Sequence, residues 1–145
     1  MSELRKDISR ISWLMGACIE QYRFASYDIK KMQKVSYIYQ SPIFIKFVNH
    51  FQLSLTLLKT GERNWTMFLK KGILNSQDAI NIFNLYIKRQ IYQFKLAYNA
   101  LIKMSYEQLI IQNAYYFPLK DKVIALKSTI LQLENEMIKL INFSF

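Results

Sequence analysis

Apolar residues return at alternating steps of three and four along most of this 145-residue chain, and that rhythm leaves few folds open. It is clearest at the start, where Leu4, Ile8, Ile11, Met15, Cys18, Tyr22, Ala25, Ile29, Met32, Ser36 and Tyr39 keep it for five repeats. A seam of this kind is the packing edge of an α-helix that meets other helices at a shallow angle. The spacing predicts one long helix from about Ser2 to Tyr39. It closes at Ser41-Pro42, because the residue before a proline is pushed out of the helical region.

Pro42 suits the first turn of a second helix, with Phe44, Phe47, Phe51, Leu55 and Leu58 as its stripe and Gly61 as its stop. From Gly61 to Ser76 the rhythm loosens, and a short extra helical turn near 65–70 inside a long connection is expected. Ser76, with Asp78 behind it, starts a third helix carrying Ile80, Phe83, Ile87, Phe94, Ala97, Leu101, Met104 and Ile111. It runs to about Tyr116 unless Ser105 and Gln108 cap a new one. Pro118 opens the last helix. There Val123, Leu126, Ile130, Leu133, Met137 and Leu140 make the seam, and Ile124, Leu131, Ile138 and Ile141 widen it into a stripe expected to be buried.

The reading is therefore all-α: an antiparallel bundle of about four helices in one domain over residues 1–145, with long first and third helices. Three glycines and two prolines are too few for a turn-rich β-sandwich, and 52% hydrophobic residues are too many for disorder. An overhang of the longer helices would leave seam uncovered, which a homo-oligomer would cover. The charged start, MSELRKDISR, does not read as a secretory signal, and no uncharged run is long and apolar enough to span a bilayer. With a single cysteine, Cys18, the expectation is a reducing, cytoplasmic setting without integral membrane association.

Catalytic, metal and cofactor signals are missing. His50 is the one histidine, so a histidine-rich metal site is excluded, and its neighbours Phe47 and Leu53 place it at the edge of a core face. Cys18 falls on the first seam and reads as a small buried hydrophobe. Glu134 and Glu136, two apart on a helix, point in different directions. The expectation is a protein that is not an enzyme and needs no cofactor or metal.

Charge says more. Twenty Lys and Arg stand against ten Asp and Glu, giving +10, and a field of that sign attracts nucleic acid, anionic membrane or acidic protein. Opposite the first seam, Arg23, Tyr27, Lys30 and Lys34 form an outward stripe continued by Tyr37. Opposite the third, Lys88, Tyr92, Lys95, Asn99 and Tyr106 do the same, with Arg89 and Lys103 adjoining. Arg63, Trp65, Lys70 and Lys71 add a basic stretch with a tryptophan.

Unbalanced cations interleaved with aromatic rings can follow phosphates while the rings stack on bases. These residues are the candidate nucleic-acid-binding set, for a basic accessory protein that binds without sequence specificity inside a larger assembly. The same stripes would also arise as solvated faces of a lysine-rich chain, and Trp65 as a plug in the end of the bundle. The alternative function is a protein-interaction module, an adaptor, chaperone or assembly subunit, with an acidic or helical protein partner.

Overall fold

The computed structural model describes residues 3–72 and 74–142; Ser2, where the first helix was expected to begin, lies outside them. Four long helical stretches follow one another. They are α1 (Glu3–Met32), α3 (Pro42–Lys71), α4 (Ser76–Ile82) continued through a π turn (Phe83–Ile87) into α5 (Lys88–Met104), and α7 (Tyr116–Ile141). Two single turns, α2 (Ser36–Tyr39) and α6 (Gln108–Ile111), close one end. Among the described residues there is no strand.

The helices alternate in direction. Asp7 meets Lys139 and Asp28 meets Lys122 across α1 and α7, while His50 meets Gln93 and Ser54 meets Gln90 across α3 and α5. α1 packs most closely on α7, and α3 on α5; the α1–α3 and α5–α7 seams are looser, and α5–α7 is the loosest. Around the bundle the order is thus α1, α3, α5, α7, which leaves α1 and α5 diagonal to each other. One hydrophobic core runs through all four.

The predicted seams mostly hold. Ile11 to Met32 on α1 and all six seam residues of α7 are buried. Several boundaries move. α1 stops at Met32, where backbone bonds from Lys34 and Val35 to Lys31 and Met32 tighten the chain into a turn. Ser36 and Tyr39 are therefore exposed, and Ile38 takes the core position.

Gly61 does not end the second long helix. It is buried in the middle of α3, where its bare backbone lets the π turn of the neighbouring helix approach. The actual stop is Gly72, which takes the left-handed conformation (φ 66°) that closes helices and that glycine adopts without strain. The extra turn expected near 65–70 is thus simply part of α3.

The third correction concerns register. Asn75, not Ser76, caps α4: its Oδ1 accepts the Asp78 N–H at 2.9 Å. The buried residues of α4 are Ala79 and Ile82, one position earlier than the expected Ile80 and Phe83. From Ile82 to the next buried position, Ile87, is five residues, and the π turn between them absorbs the surplus one. Lastly, α5 ends at Met104, and α6 is a separate turn begun by Glu107.

The four long stretches are close to equal in length, since α3 matches α1 at 30 residues. The overhang that would have called for a homo-oligomer is not there.

Candidate functional site

The interior holds a polar cluster at the middle of the bundle. Tyr22 on α1, Ser54 on α3 and Gln90 on α5 are all fully buried. Ser54 Oγ donates to the Gln90 carbonyl (3.0 Å), so the Tyr22 hydroxyl donates to Ser54 Oγ and accepts from Gln90 Nε2 (2.9 Å). Burial holds the Tyr22 hydroxyl well above its ordinary pKa and pushes the Cys18 thiol up to about 12, so both stay protonated and inert at neutral pH. His50 is half-buried, its Nδ1 2.7 Å from Gln93 Oε1. Among the described residues no group of three or more His, Cys, Asp or Glu could hold a metal, and no helix is long and apolar enough to cross a membrane.

The candidate nucleic-acid residues fall into separate places. Arg23, Lys30 and Lys34 are exposed. Arg23 is held by Glu20 at 2.6 Å, an acid beside the stripe, and Lys30 sits in the last turn of α1, where it also complements the helix dipole. The Tyr27 ring is half-exposed, flanked by Tyr115 and by the ammonium groups of Lys31 and Lys122. Tyr37 belongs to α2, past the end of the stripe.

The α5 ridge holds from Lys88 to Lys103. Lys88, Arg89, Lys95 and Lys103 are exposed and make no ion pair among the described residues, Tyr92 stands 59% exposed among them, and Tyr106, 85% exposed, lies in the turn past the end of α5. Because α1 and α5 are diagonal, the two ridges look out from opposite corners of the bundle. Lys34 and Lys103 lie toward the same end of the bundle. Arg63, Lys70 and Lys71 are exposed on α3 toward the opposite end.

Trp65 is withdrawn from the set. It is completely buried, and its indole N–H donates to Ser12 Oγ on α1 at 2.8 Å. A ring sealed between two helices cannot stack on a base. It is a core residue in the last third of α3, buried as the plug reading expects.

Sequence reasoning missed an apolar stripe on the surface. Phe117, Ile124, Leu131 and Ile138 follow one another at intervals of seven along α7, and they are 56%, 44%, 55% and 42% exposed. Residues seven apart on a helix share one face, about 10.5 Å from each to the next. The expected widening of the buried stripe is thus outside, apart from the half-buried Ile141. Leu131 borders a furrow of about 280 Å³ at the loose α5–α7 seam, lined by Ile91, Phe94 and Tyr98 on one side and Ile130 on the other. The only available signal was a repeat of exactly one heptad beside an already complete seam.

In comparisons with known proteins, no family model, no curated protein and no solved structure matches the chain.

Proposed function

We propose that this protein is a non-enzymatic interaction module that receives a helical segment of a partner protein along its α5–α7 face, as a subunit of a larger assembly. The carrying observation is the exposed stripe Phe117, Ile124, Leu131 and Ile138 beside an apolar furrow. Contiguous apolar surface on a water-facing helix favours association, and a groove between two helices suits a third. The separation of the basic ridges supports the reading from the other side, since those of α1 and α5 do not share one flat face.

The test is to purify the native protein after nuclease treatment, as wild type and as Leu131→Lys. Residue 131 is exposed, so the variant keeps its helical circular dichroism. Recovery of one defined protein partner with the wild type and its loss with the variant is the expected result. Recovery of the same proteins with both forms would overturn the reading.

A second reading, nucleic-acid binding without sequence specificity, is favoured by the exposed cations of the α5 ridge. With Lys88, Arg89, Lys95 and Lys103 of that ridge engaging one duplex, the log–log salt slope should be about −3 to −4. Lys88→Glu with Lys95→Glu should remove that binding while helicity stays intact.

A further inference from the structure

From the charges that border the α5–α7 furrow, we infer that its occupant is an acidic amphipathic helix of a partner protein. This rests on the interaction reading above and narrows it. The floor of the furrow is apolar, and Ile124 and Ile138 extend it one heptad to either side of Leu131. From Ile124 to Ile138 the face is about 21 Å long, the rise of roughly four helical turns. Lys95 on α5 and Lys127 on α7 line the furrow together with one acid, Glu134, and the exposed Lys88 stands one heptad before Lys95 on α5. Among the described residues none of the three lysines is in an ion pair; the Lys127 ammonium lies instead 4.4 Å from the centre of the Tyr98 ring.

An apolar strip with ammonium groups from both helices beside it is complementary to a helix with leucine-type residues on one face and carboxylates next to them. A second copy of this chain would bring a further net charge of +10 against the first, so the summed field selects against it. The chemistry of the partner follows: a segment of about 14 to 18 residues, apolar at the first, fourth or fifth, and eighth positions, with Asp or Glu beside them.

The probe is a fluorescently labelled synthetic helix of that length with leucines in the heptad pattern and flanking glutamates. A second peptide carries glutamine at the glutamate positions, and a third has the acidic composition in scrambled order. Anisotropy titration of the wild-type protein should show saturable binding of the first peptide alone. Ile124→Ala with Leu131→Ala should weaken it by roughly tenfold or more. Lys95→Gln with Lys127→Gln should weaken it and flatten its salt dependence.

Equal binding of the glutamine peptide would overturn the acidic partner and leave helix docking standing. Failure of both amphipathic peptides would overturn both. A dimer in sedimentation that Ile124→Ala with Leu131→Ala dissolves would give the face to a second copy. Duplex DNA held in a way that depends on Lys88, Lys95 and Lys127 but not on Leu131 would give it to a polyanion. Either result overturns the inference.

Discussion

Gly61 and Tyr86 stand so close that a β-carbon added to the glycine would lie 2.9 Å from the Cβ of the tyrosine. Neither atom can rotate away, because each is fixed to its backbone, so the α3 and π-turn backbones would have to part. Gly61→Ala should therefore lower stability by about 1–3 kcal/mol, the usual cost of overpacking, although alanine favours the helix by about 1 kcal/mol. Gly16 supplies the control: a β-carbon there meets nothing within 4 Å. Gly16→Ala should raise stability by about 0.5–1 kcal/mol. Urea denaturation followed by circular dichroism reads both, and a stabilised Gly61→Ala would contradict the close approach.

Tyr22 and Gln90 carry opposite expectations. The Gln90 side-chain oxygen is buried without a partner, whereas its nitrogen serves the Tyr22 hydroxyl. Gln90→Met removes an unsatisfied acceptor together with one bond and should be nearly neutral. Tyr22→Phe leaves that amide without its acceptor and should cost about 1–3 kcal/mol. Combining the two should recover much of the loss, and strictly additive effects would mean that the two groups do not interact.

The two tryptophans should be told apart by their fluorescence. Trp65 is sealed in the core and Trp13 is 66% exposed. Trp13→Phe should leave a blue-shifted emission resistant to acrylamide, and Trp65→Phe a red-shifted, quenchable one. Trp65→Ala should cost about 3–5 kcal/mol, as large core truncations do. A quenchable signal from Trp65 would restore it to the surface.

Alkaline pH should unfold the protein in a way that traces to Cys18. Its thiol titrates at about 12 when folded against an ordinary 9.0, so the folded state holds its proton more tightly than the unfolded chain. That contribution is complete below pH 9 and declines as pH rises toward 12. Tyr22, raised by burial as well, adds in the same direction. Cys18→Ala should flatten the loss between pH 9 and 11, and a thiol reagent should label the wild type only on unfolding. Rapid labelling of the folded protein would contradict the burial.

The sequence made the core legible where one period persisted. On α7 a strict alternation of three and four points Val123 through Leu140 at a single axis, and every one of the six is buried. Periodicity failed where geometry between helices decides. Gly61 resembles a stop until a neighbour is seen against it, and the surplus residue of the π turn is invisible while Ile80 and Phe83 look equally apolar. The basic ridges of α1 and α5 were read correctly as outward on α5, yet which corner each occupies depends on the order of helices around the bundle. No single helix encodes that order. Ile124, Leu131 and Ile138 were misplaced for the same reason, because only the looseness of the α5–α7 seam leaves them uncovered.

The π turn at Phe83–Ile87 bears on how this chain tolerates change in its length. Excising one amino acid there, such as the outward-facing Asn84, would relax the widened loop into an ordinary coil and leave Ala79, Ile82 and the shifted isoleucine three and four apart. The remainder of the molecule would keep its partners. A deletion that ruins most helices in mid-course would here erase an insertion.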